Sequence, residues 1–358
     1  MFFGLAHGLG LSGSGGAAAP APTVAITSHV AGAIIERLDG AATFTAAVTD
    51  ATAAELFADV GNTGSFVSWG AMAIAAGVAS VAKLPATTDC NEAVVLKVTA
   101  TGAGGTTTSA TVTVKIRKSM ADIGTLVAWR RMDRGVTVNG ADVEAIADQS
   151  GNGYHRTASA GHRPAYEAAG WNGAQPSARF DPAGTEYMLG GGAAAVFNGS
   201  DKPFTWVCAL EIITGVASQY IWMLGNNVAS GKGSVRVYTT DVSGTIRVGR
   251  YDDALASALA TDGAIGTTRH VLALVFNGTA AWLYVDGTVS GINGTAMDVG
   301  TATFVWDCLG ALAGNAGPTV SNYADMRVAE EAIFSNALNA TAVGNAGTLL
   351  KLRLSGLP

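Results

Sequence analysis

Two successive tight-turn signals constrain this chain most. The run His270-Val271-Leu272-Ala273-Leu274-Val275-Phe276 ends at Asn277-Gly278, and Thr279 to Val285 ends at Asp286-Gly287, with another apolar stretch from Thr288. Asn-Gly and Asp-Gly supply the positive φ that two-residue hairpins need, so antiparallel strands in series are predicted here. The same punctuation recurs elsewhere, because 47 glycines separate short Val, Thr and Ala-rich runs and only 13% of residues are charged. An all-β chain follows, with long helices scarce.

The 358 residues, 49% of them hydrophobic, allow two or three domains with buried cores. The formal charge is -6, and the densest basic spot is only Trp129-Arg130-Arg131-Met132-Asp133-Arg134. Without a basic stripe to neutralise phosphates, nucleic acid is not an expected partner. Cys90, Cys208 and Cys308 have no metal-ligand spacing; Cys208, within Phe204 to Leu210, reads as a small buried hydrophobe, with a Cys208–Cys308 bridge left open. No basic residue precedes Arg37 and glycines break the first apolar stretch, so conventional secretion is not expected. No segment has the length and apolarity of a membrane span.

Three regions are expected along the chain. Residues 1–22 are apolar and glycine-broken, too short to bury Phe2, Phe3 and Leu5 against themselves, and read as an anchoring peptide that docks on an assembly partner, with a disordered tail as the alternative. Residues 23–118 carry short alternating strands and end in a hairpin, Ala93 to Ala100, a Gly102-Ala103-Gly104-Gly105 turn, then Thr106 to Ile116. This hairpin resembles the last strands of an immunoglobulin-like or polycystic-kidney-type β-sandwich. A junction near residue 120 opens the third region, 121–358.

The third region contains Asp148-Gln149-Ser150-Gly151-Asn152-Gly153-Tyr154-His155, then Arg163-Pro164-Ala165-Tyr166, then Pro176-Ser177-Ala178-Arg179-Phe180-Asp181. Glycines and Asn give a tight loop, while Phe180 can enter a core. With the double hairpin, Cys308-Leu309-Gly310 and Met326 to Phe334, this order resembles the laminin-G/concanavalin A-like jelly rolls of bacterial and phage surface proteins. The resemblance implies a jelly-roll sandwich finished by a short helix from about Asn339 to Leu352. Ala145-Ile146-Ala147-Asp148 replaces the family's frequent Trp-Asn-Asp, which weakens any ligand role for that loop.

Related jelly rolls that cleave glycans place an acid and a nucleophile about 5 Å apart on one strand face. Here Glu211 stands alone and Glu330-Glu331, being adjacent, face opposite sides of a strand, so no enzyme is expected. His7, His29, His155, His162 and His270 have no zinc spacing, and His155 and His162 read as solvated loop polars. No cofactor is expected; the resemblance allows calcium, with Asp148, Asp181, Asp252, Asp253 and Asp286 as candidates by residue type. Asp286 is already explained by its hairpin turn.

Aromatics beside hydrogen-bonding side chains suit sugar recognition, and three clusters offer this: Trp171-Asn172, Trp222 with Asn226-Asn227, and Arg250-Tyr251-Asp252-Asp253. Each aromatic has core packing as its alternative. Trp171, Asn172, Trp222, Asn226, Arg250, Tyr251 and Asp252 are therefore the candidate glycan-binding residues. The resemblance and the missing leader together lead to the expectation of a virion-surface adhesin, homo-oligomeric, anchored to other virion proteins and binding host cell-surface carbohydrate. The alternatives are a capsid decoration protein without a ligand, and a glycan-cleaving enzyme.

Overall fold

The computed structural model describes residues 18–37, 40–215, 218–226, 232–254, 256–313 and 320–358. Phe2, Phe3, Leu5 and Asn227 lie outside the described residues. The fold is all-β, with a terminal helix at Ala340–Arg353 and, among the described residues, one other α-helical turn at Gly192–Ala195. The chain divides into two compact units, residues 1–118 and 119–358.

The first unit is a sandwich made by bending one continuous sheet. Strand Val67–Ala75 pairs with Ala53–Val60 through its first half and with Val78–Lys83 through its second, and Gly70 at φ 131° lies within it. A positive φ of this kind is open to glycine without steric cost. Alternation then sends Phe44, Ala46 and Val48 from one layer, and Leu56, Leu96 and Val114 from the other, into a common core. Phe44 meets Trp69 edge-on at 5.8 Å.

In the second unit the strands link into a closed hydrogen-bonded network, but pairing sorts most of them into two layers. One runs Thr288–Ala296, Ala280–Val285, Arg269–Phe276, Phe204–Ile212, Met326–Phe334. The other runs Ser257–Ala264, Thr245–Tyr251, Ser234–Thr239, Gln219–Gly225, Trp306–Leu309, Met188–Gly190. Trp206, Leu272 and Leu283 from the first layer meet Trp222, Val237 and Val248 from the second in one core. The double hairpin expected from Asn277-Gly278 and Asp286-Gly287 forms with the register Val275↔Trp282 and Val285↔Thr288.

The terminal helix begins where Asn339 caps it, its Oδ1 accepting from Ala342 N at 2.9 Å. Val343, Ala346, Leu349 and Leu350 are its buried face, while Lys351 and Arg353 lie in its last turn, where cations suit the helix dipole. Cys208 and Cys308 are free and sit in separate apolar clusters, the main core and a smaller one around Tyr187 and Met223. The bridge left open by the sequence is therefore not formed.

Candidate functional site

The outer face of the second layer carries the candidate site. Val235, Val237, Ile246 and Val248 point inward, so strand alternation turns Ser234, Arg236, Tyr238, Arg247 and Tyr251 outward. Tyr220 and Tyr238 are paired across strands and stack at 4.9 Å and 18°. The Arg236 guanidinium lies 4.2 Å from the Tyr251 ring centroid and 5.9 Å from that of Tyr220. Its Nε donates to Ser234 Oγ at 2.8 Å. On the next strand, Arg247 Nε donates to Thr261 Oγ1 at 2.9 Å and its guanidinium also reaches the Tyr238 hydroxyl. Burial raises the Tyr238 pKa, partly offset by Arg247, so the phenol stays protonated.

Gly249 makes this arrangement possible. A Cβ there would meet Leu259 Cδ2 at 3.0 Å and Tyr251 Cε2 at 3.1 Å, so the missing side chain lets Tyr251 lie along the sheet. Leu259 beside it is 50% exposed. Tyr251 and Arg247 are half-buried and reach the surface beside Leu259, while Tyr220, Tyr238 and Arg236, 8%, 8% and 9% exposed, pack behind them. An aromatic ring edged by a cation and hydroxyls is the combination that holds a sugar by its apolar face and its hydroxyl groups.

Only part of this face was anticipated. Tyr251, a sequence candidate, lies on it; Tyr220, Tyr238, Arg236 and Arg247 join it through register, and the alternation Arg236, Tyr238 is the sequence signal for them. Arg250 is corrected: it points inward over Phe276 at 4.8 Å, donates to Met297 O and Gly300 O, and pairs with Asp201 at 3.0 Å. Trp222 and Trp171 are corrected too, since both are 0% exposed and can offer no ring face to a ligand. Trp222 stacks on Trp206 at 5.1 Å, and Trp171 donates to Ser355 O. Asn172 is exposed but belongs with Arg269 and Ser355, away from the second layer. Asn226 is buried and donates to Asp253 Oδ1 at 3.3 Å. Asp252 accepts from Ala254 N and Ala256 N, closing the turn after Tyr251.

The glycine-rich loop turns out to be held by its own polar groups. Asp148 accepts from the backbone N–H of Trp129, Ser150 and Tyr154 and lies 2.7 Å from Ser150 Oγ. Asn152 Nδ2 donates to Leu126 O and Val127 O, and His155 Nδ1 accepts from Asp148 N. Burial works against the Asp148 carboxylate, but these hydrogen bonds outweigh it and keep its pKa below the usual value. The other calcium candidates are likewise engaged by N–H donors: Asp181 by Ala183, Asp253 by Thr303, Asp286 by Val271 and His270. Among the described residues no three His, Cys, Asp or Glu side chains come together as a metal-binding group, so these separately held carboxylates do not build a calcium shell.

Glu330 and Glu331 do face opposite ways. Glu330 accepts from Trp129 Nε1 and Arg353 Nη1, both at 2.7 Å. Glu331 meets Arg156, Arg130 and Trp206, and Asp307 meets the same two arginines and Trp222. All four ionic side chains of this cluster are 2% exposed or less. Burial would lower the Arg156 pKa, but the charges of Asp307 and Glu331 raise it instead. On the neighbouring strand pair, Thr268 Oγ1, His270 and Asp286 form a chain of contacts, each 2.8 Å long. Asp286 there also accepts from Val271 N, so the chain fastens the start of a strand to its hairpin turn.

No protein-family model and no curated protein matches the chain. Solved structures are similar in fold. The binding domain of botulinum neurotoxin serotype D has 11% identity and a TM-score of 0.46, with 65% of this chain covering 53% of that one. For the serotype G binding domain the values are 13%, 0.43, 63% and 51%. Domain 4 of AbnA, a GH43 extracellular arabinanase from Geobacillus stearothermophilus, in complex with arabinotriose, gives 14%, 0.42, 62% and 98%. The chain thus spans about half the length of the toxin domains it matches.

Proposed function

We propose that the chain is a non-enzymatic attachment protein whose second unit binds carbohydrate on the outer face built from Tyr220, Tyr238, Tyr251, Arg236 and Arg247. The carrying observation is Tyr251 laid along Gly249 and packed against the Arg236 guanidinium, an aromatic surface fixed before any ligand arrives. The non-enzymatic reading is supported by Asp307, Glu330 and Glu331, which are buried and held by Arg and Trp side chains rather than open to a substrate. In this proposal the chain works at the surface of a virus particle, with residues 1–22 seated on another virion protein and the first unit an immunoglobulin-like spacer. Many weak sites presented together would rebind at high local concentration.

A glycan array probed with the full chain tests the binding claim. Signal on a defined set of glycans, lost in Tyr251→Ala, supports it; an array without signal, or signal indifferent to Tyr251→Ala, removes this face from the account. Mass spectrometry of purified particles tests the setting. A second reading, a decoration protein, is favoured by the first unit's outward face of Thr43, Thr45, Ala47, Thr49 and Val78, which carries no charge.

A further inference from the structure

We infer that the saccharide taken by the outer face is acidic, its carboxylate or sulfate held by Arg236 and Arg247. This rests on the reading of that face as a carbohydrate site and adds the charge of the ligand.

The observation is an imbalance of partners. In the second unit Arg130, Arg156, Arg250, Arg269, Arg327 and Arg353 each reach a carboxylate. Among the described residues, Arg236 and Arg247 reach none; their polar partners are the hydroxyls of Ser234, Thr261 and Tyr238. Arg236 is only 9% exposed, pinned against Tyr251. A cation taken this far from water without a counter-charge is costly, and an incoming anion offsets that cost.

The surroundings point the same way. The outward positions of the four strands hold Tyr, Arg, Ser, Thr, Gly, Met, Leu and Ala, and no Glu occurs between Glu211 and Glu330. Asp262, next to Thr261 on the fourth strand, alternates to the other face and accepts from Gly263 N and Gly291 N. Asp252 and Asp253, past the strand end, and Asp241, in the turn before Thr245, have oxygens turned onto N–H donors. Arg236 pairs with Gly249 and Tyr238 with Arg247, so the two arginines are diagonal neighbours on adjacent strands. Such positions lie roughly 7–8 Å apart, within reach of one acidic group between two long side chains. Guanidinium forks match carboxylate and sulfate oxygens bidentately.

The test measures full-chain binding to an oligouronate, to the same oligosaccharide with its carboxyl groups reduced to alcohols, and to a sulfated galactan oligosaccharide. The expected result is that an acidic probe binds about tenfold or more tightly than the reduced one, and that rising salt weakens the acidic complex. Preference between the uronate and the galactan identifies the acidic group. Arg247→Gln and Arg236→Gln should each weaken acidic binding by about tenfold or more. Arg236→Lys, which keeps the charge without the fork, should fall between, and serves where the Gln variant fails to fold. Equal affinity for the oligouronate and its reduced form, with both lost in Tyr251→Ala, would overturn the acidic ligand while leaving the carbohydrate site standing. No binding to acidic or neutral probes would overturn both.

Discussion

Arg250 and Tyr251 are neighbours in the chain and face opposite sides of the same sheet. Arg250 enters the sandwich to cover Phe276, while Tyr251 lies on the outer surface against Arg236. Their substitutions should therefore separate. Arg250→Ala strands Asp201 and two carbonyl oxygens, and should cost about 2–3 kcal/mol in denaturant unfolding without changing which ligands bind. Tyr251→Ala should leave the unfolding midpoint nearly unchanged and weaken saccharide binding.

The four-charge cluster of Arg130, Arg156, Asp307 and Glu331 is balanced only as a whole. Arg156→Ala leaves two buried carboxylates against a single arginine and should destabilise the second unit by about 3–5 kcal/mol. Calorimetry of the full chain is the check: the transition of the second unit should fall, and that of the first should stay in place.

Asp148 gives the glycine-rich loop an acid sensitivity. Its pKa is lowered in the folded chain, so the stabilisation is fully present above the ordinary Asp value of about 3.9 and fades as pH falls through the lower folded value. Asp148→Asn should lose about 1–3 kcal/mol at neutral pH, and the gap from the parent should close in strong acid. Unfolding curves across that range measure both.

The three thiols should differ in reactivity. Burial raises Cys208 well above the usual thiol range and Cys308 to about 12, whereas Cys90 is only half-buried. Under native conditions a thiol reagent should modify Cys90 alone, and in denaturant all three; rapid native labelling of Cys308 would contradict its place in the small cluster around Tyr187.

Hairpins and the terminal helix were legible because each is written locally: Asn277-Gly278, Asp286-Gly287 and the cap at Asn339 fix backbone geometry by themselves. The site was not, because a sheet face is assembled across strands. Tyr220, Tyr238 and Arg247 are far apart in sequence and meet only through register. Adjacency misled in the same way at Arg250-Tyr251, which strand alternation splits. Trp171 and Trp222 attracted attention as aromatics beside Asn, but their indole N–H groups find acceptors inside the fold, at Ser355 O and Asp307.

A structure of the full chain with a bound oligosaccharide tests the account most directly. The account requires the sugar ring to rest on Tyr251, with Tyr238 and the arginines around its polar edge. A sugar seated instead at the Asp148 loop, or over the Asn172 and Ser355 surface, would contradict it.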